Sequence, residues 1–281
     1  MLRNLLVYLF LFLATNSFAV GWVNSFKDAQ KLALAQNKLI IVDFWATWCG
    51  PCLKMDRDSW SDPEVQNLMQ AFILVKIDID RQVGFARSYG INAIPDVFIM
   101  DGNGEVIYHH RGYMDNNQLL RELKKYQLNT SFLNRSALQY YRSQQYNTAL
   151  NLAERYMDYA VNIPSKEIRY NFLQVAESYL KKSKNLLVKD MSTYNLFEQR
   201  IELYQLIIET YRGRLSKVNR SLDRNFNEEI IDERNKASFY FIKCCLCESD
   251  NPEIGSILEK LKLSDLNGDF QTRFKWFSEL E

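Results

Sequence analysis

The spacing of apolar residues changes twice along the chain, and the changes divide it into three stretches. The first, "MLRNLLVYLFLFLATNSFA", runs apolar from Leu5 to Ala14 behind a single Arg3 and closes on the small residues Ser17 and Ala19. That order is the pattern of an export signal over residues 1–19, with cleavage expected after Ala19. The run falls well short of the about 20 residues a spanning helix needs. No later segment is apolar enough to span, so the mature chain is expected to be soluble, without a stable membrane span once the signal is removed.

Residues 20–127 mix two periods. "NSFKDAQKLALAQNK" places Phe26, Ala29, Leu32 and Ala33 at helical spacing behind a capping Asn24 or Ser25. "LIIVDFW" is a continuous apolar run of strand length, as in a central strand covered on both faces. A helix is expected from about Cys49 to Ser59, and a second through "SDPEVQNLMQAF", capped by Ser61 or Asp62 with Pro63 at its first position. "ILVKIDI" reads as another buried strand and "QVGFARSYG" as a short helix closed by Gly90. "DVFIM", "DGNG" and "EVIYHH" form a hairpin, and "DNNQLLRELKKY" a final amphipathic helix. This alternation predicts an α/β unit: a mixed central sheet with helices on both faces.

From 128 to 281 only the helical period remains. "SFLNRSALQYYRSQ", "YNTALNLAERYMDYA", "SKEIRYNFLQVAESYLKK", "TYNLFEQRIELYQLIIETYR", "NEEIIDERNKASFYFIKCCLC", "PEIGSILEKLK" and "DFQTRFKWFSEL" all carry apolar residues three and four apart. The short polar breaks between them favour an all-α helical-repeat or bundle domain. "YYRSQQYNTAL" places Tyr140 and Ala149 about where a tetratricopeptide unit packs its two helices, a match the later helices do not repeat.

Composition adds bulk and removes one class of partner. Of 281 residues 47% are hydrophobic and 14% aromatic, ample for buried cores. A net charge of +1, with Lys and Arg dispersed, offers no basic stripe for nucleic acid. Export places the five cysteines where disulfides persist.

Cys49 and Cys52, two residues apart in "DFWATWCGPCLKMD", have a spacing shared by metal ligands, staples and redox dithiols. Zinc needs four ligands. No second pair of this kind accompanies them, and His109 and His110, adjacent on a strand, point to opposite faces as surface residues. No metal is therefore expected. A staple closing so small a loop constrains the unfolded chain little, which leaves the dithiol. A helix starting at the motif directs its unpaired amides at Cys49 and favours the thiolate, so Cys49 is expected to be the accessible attacking sulfur and Cys52 the resolving one. Gly50 admits a substrate chain and Pro51 sets the backbone entering the helix.

"VDFWATWCGPC" followed by "YGINAIPDVFIMDGNGEV" resembles the thioredoxin superfamily over roughly Ser25 to Tyr126. The resemblance implies a thioredoxin fold, a protein disulfide oxidoreductase activity, and no cofactor beyond a redox-active Cys49–Cys52 disulfide. It implies a cis peptide at Ile94–Pro95 facing the cysteines, with the Ile94 backbone open to the substrate's chain. It also assigns Asp43 as the buried carboxylate that takes the Cys52 proton, Lys76 as its neighbour, Trp48 as the exposed aromatic beside the nucleophile, and Trp45 as packing. Gly112 matches either a small residue that leaves the substrate groove open or a hairpin-end glycine. "CLKMDRDSWSDPEVQNLM" is similar to the C-terminal periplasmic domain of transmembrane disulfide-interchange reductases. The chain lacks their membrane domain and carries about 150 helical residues instead, so its upstream electron donor is unidentified. Gly50–Pro51 resembles the reducing members, pointing to reduction or isomerisation of protein disulfides with the helical half selecting a protein partner; the alternative is a redox-idle scaffold. A reductase serving cytochrome maturation is a third reading, with nothing that singles out haem proteins. The expected compartment is the periplasm or the exterior, and Asn129, Asn134 and Asn219 are glycosylation acceptors only if the route is the endoplasmic reticulum. "FIKCCLCES" adds Cys244, Cys245 and Cys247, read as small buried hydrophobes or as exchange partners of the first pair.

Overall fold

A computed structural model describes residues 21–248 and 251–278; the export signal expected over residues 1–19 lies outside the described residues. Its first half is built on four strands: β1 (Ile40–Trp45), β2 (Ile73–Asp78), β3 (Asp96–Met100) and β4 (Val106–Arg111). They stand in the order β2-β1-β3-β4, with β1 parallel to β2 and antiparallel to β3, and β3 antiparallel to β4. The outer edge of β2 is extended by Val23, whose amide donates to the Leu74 carbonyl at 2.8 Å.

Alternation along β1 sends its side chains to two cores. Ile40, Val42 and Phe44 meet Ala29 and Ala33 of α1 (Phe26–Gln36) and Ala86 of α4 (Val83–Ser88). Ile41, on the other face, meets α2 (Gly50–Met55), α3 (Pro63–Met69) and α5 (Asn116–Tyr126) through Met55, Val65, Met69, Leu119 and Leu123. The motif helix differs from expectation: α2 ends at Met55 and continues as one wider π-helical turn, Asp56–Trp60. That turn swings Ser59 and Trp60 inward, and the Ser59 hydroxyl donates to the Met114 carbonyl at 2.7 Å.

The second half is helical: α6 (Asn134–Arg142), α7 (Tyr146–Val161), α8 (Lys166–Leu186), α9 (Tyr194–Tyr211), α10 (Leu215–Asn225), α11 (Lys236–Leu246), α12 (Ile254–Ser264) and α13 (Asp269–Ser278). Helix α10 is absent from the sequence reading although Leu215, Val218 and Leu222 stand at helical spacing; they are its only apolar residues, set among polar ones, and only Val218 and Leu222 are buried. Tyr140 and Ala149 are both buried, and Tyr140 meets Tyr179 of α8 edge-on at 5.2 Å. One apolar core runs from beneath the sheet into these helices, joining Leu119 and Tyr126 to Tyr156, Phe172 and Tyr179.

The halves are fastened at the β3–β4 turn. Asp101, 3% exposed, accepts the hydroxyls of Tyr156 at 2.8 Å and Tyr179 at 2.6 Å with one oxygen, and the amides of Asn103 and Glu105, each at 2.8 Å, with the other. Glu105 accepts from Ser178 and Lys182. Since Asp96 lies opposite Phe44 and Met100 opposite Ile40, this fastening sits at the end of the sheet away from the residues that follow β1.

Candidate active site

The chain leaves β1 at Trp45 and turns into α2 at Cys49, which takes the capping position usually filled by Ser or Asp. Its Sγ accepts the Cys52 amide at 3.2 Å. Cys49 and Cys52 form a disulfide, with Cα atoms 5.3 Å apart. Both are only 3% exposed, lying beneath Ala46 and the side chains of Trp45, Ile79 and Ile94. The expected accessible sulfur is thus covered in the disulfide form, while Gly50, Pro51 and Trp48 rim it at the surface. A side chain at Gly50 would meet only open space.

The Ile94–Pro95 peptide is cis. Ile94 packs on the cysteine pair, and the Pro95 carbonyl accepts the Gly112 amide at 2.8 Å. Gly112 has φ +108 with open space where a Cβ would stand, so backbone geometry selects glycine there. Gly112→Ala is expected to lower stability by about 1–2 kcal/mol in denaturant titration; a loss within error would mean the turn relaxes freely.

Asp43 sits on β1 facing Met55 and Trp60, and is 2% exposed. Burial pushes its carboxyl up to about 6, against the opposing pull of Lys76; the carboxylate of Asp56 pushes the same way as burial. One of its oxygens, Oδ1, has no hydrogen-bond partner, and the Trp60 indole N–H is close enough to favour the anion though outside bonding geometry. Lys76 Nζ stands 3.5 Å from Asp43 Oδ2, is bonded to Asp56, and lies between the rings of Trp22 and Trp45 at 5.2 and 5.3 Å. Asp56 escaped the sequence reading, although it stands four residues after Cys52 on the same helical face.

Trp48 is 66% exposed, and its indole donates to Asp80 Oδ2 at 2.7 Å. Exposed Leu53 on α2 and Val83 at the start of α4 add apolar surface that the sequence reading passed over. The histidines point to opposite faces and His109 is exposed, as expected, but it also partners a buried acid. Its Nε2 lies 2.5 Å from Oδ1 of the wholly buried Asp96, and its ring stacks on Phe98 at 4.3 Å. Arg111 donates to the other Asp96 oxygen at 3.3 Å. Register alone creates this cluster: Asp96 faces Arg111 and Phe98 faces His109 across β3 and β4.

A family model described as a thioredoxin-like domain matches residues 26–127. The thioredoxin of Chlorobaculum thiosulfatiphilum is 30% identical over 104 residues, covering 36% of this chain and 90% of that protein. Thiol:disulfide interchange protein DsbD of Tatumella citrea is 29% identical over 102 residues, covering 34% of this chain but 18% of that protein. Among solved structures, the DsbD C-terminal domain of Neisseria meningitidis in its reduced form is 23% identical, covering 36% of this chain and 92% of that one at a TM-score of 0.32. A thioredoxin from Thermus thermophilus is 25% identical, covering 38% and 86% at 0.35. A mixed sheet carrying a Cys-Gly-Pro-Cys disulfide at a helix start is the architecture of a thiol–disulfide oxidoreductase. The chain belongs to the thioredoxin family, whose members act on protein thiols and disulfides.

Proposed function

We propose that the protein is an exported oxidoreductase that reduces or isomerises protein disulfides, with Cys49 as nucleophile and Cys52 as resolving thiol. The observation that carries this reading is the Cys52 amide donating to the Cys49 sulfur at a helix start, an arrangement that favours thiolate over thiol. The Cys49 thiolate attacks one sulfur of the substrate disulfide and releases the other as a thiolate. Asp43 takes the Cys52 proton, and Cys52 then attacks Cys49, freeing the substrate's second sulfur. Lys76 and Asp56 set the charge around Asp43. Ile94 and Pro95 offer the backbone edge on which a substrate strand lies, beside Gly112, with Trp48, Gly50 and Pro51 as the rim.

Export rests on the Arg3, Leu5–Ala14 and Ala19 pattern, and places the protein in the periplasm or outside the cell. No helix among the described residues is long and apolar enough to cross a membrane. The boundary near residue 127 separates the redox unit from a helical unit that holds a protein partner. An upstream donor of unidentified nature returns the Cys49–Cys52 disulfide to the dithiol. Insulin reduction by dithiothreitol tests the reading: the protein should accelerate precipitation of the B chain, and an unaltered rate would leave a scaffold with an idle disulfide.

A further inference from the structure

Three thiols of the helical half lie outside the site described above, and two of them repeat its spacing. Cys244 and Cys247 stand at the C-terminal end of α11, where the Cys247 amide donates to the Cys244 carbonyl at 3.3 Å. A hydrogen bond of this span closes a turn whose end Cα atoms lie within about 7 Å, which overlaps the reach of a disulfide. Residues three apart also share one helix face, whereas Cys245 is turned about 100° from Cys244. The surroundings agree with that division: Cys247 stands close enough to help raise the Cys244 thiol, and Cys245 close enough to Tyr211 to help raise its hydroxyl. Cys244 is buried and Cys247 partly exposed, so an incoming reagent meets Cys247 first.

We propose that Cys244 and Cys247 form a second dithiol–disulfide pair, oxidised by a low-molecular-weight disulfide of the glutathione type. Cys247 loses its proton to solvent and attacks one sulfur of the external disulfide; that S–S bond breaks and one thiolate leaves. Cys244 loses its proton and attacks the Cys247 sulfur, forming the internal S–S bond and expelling the second thiolate. Two chain thiols are oxidised, one external disulfide is reduced, and the two protons end on the departing thiolates.

The pair is the electrostatic inverse of Cys49–Cys52. It sits at the negative end of a helix, and burial together with Cys247 pushes the Cys244 thiol up to about 12. Penalising the thiolate slows the second attack and weights the equilibrium towards the disulfide.

The test uses the full chain carrying Cys49→Ser and Cys52→Ser. After incubation with oxidised glutathione, acid quenching and alkylation in denaturant, peptide mass mapping should find Cys244 and Cys247 linked with loss of two hydrogens, and Cys245 alkylated. Cys244→Ala should halt the reaction at a glutathione adduct on Cys247. In the wild-type chain the link should survive a ratio of reduced to oxidised glutathione at least about tenfold above the one that opens Cys49–Cys52. Three alkylated thiols, a link through Cys245, a link between two chains, or a lasting adduct on Cys247 with Cys244 still reactive would each overturn the proposal.

Discussion

Asp43→Asn is expected to slow insulin reduction at pH 7 by about 100-fold while making the fold more stable by about 3 kcal/mol. Both effects come from one buried carboxyl. Its value of about 6 in the fold, against 3.8 for an ordinary aspartate, means the folded chain binds more protons than the unfolded chain between about pH 4 and pH 6. Stability from this group is fully present below pH 4 and falls as the pH rises through 6. At about 1.4 kcal/mol per unit, the loss approaches 3 kcal/mol at neutrality. Asparagine carries no charge to desolvate, so the variant should gain over wild type across that window and by a constant amount above it. Lys76 keeps Asp56 as a counter-charge in the variant, which limits the disturbance. Catalysis moves the other way, because asparagine cannot accept the Cys52 proton. The wild-type rate should rise through pH 6 as Asp43 ionises, and the variant should lack that rise. Equal rates at pH 7, or a variant less stable than wild type, would show that Asp43 neither carries the proton nor resists burial as charge.

Much of this site was legible because its members break the local pattern. Asp43 is a lone carboxylate inside "LIIVDFW" and Lys76 a lone cation inside "ILVKIDI", and an apolar strand tolerates a charge only where something answers it. The cysteines and Pro95 carry their own chemistry on the page. Other members became visible only through contact. Asp56 matters because a π-turn and β2 bring it to Lys76, and Asp96 because the register of β3 and β4 sets it against His109 and Arg111. In sequence each is one more acid among 34. The fold divides the same way: the apolar runs of β1 and β3 and the long helical periods of α7 and α8 announced themselves, whereas α10 carries its period on Leu215, Val218 and Leu222 alone, in a short polar stretch, and was passed over. Docking between the halves left no sequence trace, since Asp101 reads as an ordinary turn aspartate in "DGNG" and its partners lie 55 and 78 residues on.

Asp101 is therefore where the two halves are expected to part. Asp101→Ala strips the acceptor from the hydroxyls of Tyr156 and Tyr179 and from two backbone amides, inside a site only 3% exposed. Each stranded buried donor costs about 1–3 kcal/mol, partly offset because a carboxyl whose value is raised by burial and by Glu105 no longer has to be desolvated. The expected net loss is about 3 kcal/mol, or a fall in Tm of about 10 °C. Tyr179→Phe leaves the carboxylate three donors and should cost only about 1 kcal/mol. Activity should behave differently from stability. The strand from Asp96 to Met100 separates this fastening from the Pro95 end by about 14 Å, so reduction of a small disulfide well below Tm should stay within about twofold of wild type. If the helical half positions a protein client, reduction of that larger disulfide should fall while the small one is spared, because only the client spans both ends of the sheet. A variant as stable as wild type would remove Asp101 as the joint; equal losses on small and large disulfides would mean the helices shape the dithiol itself.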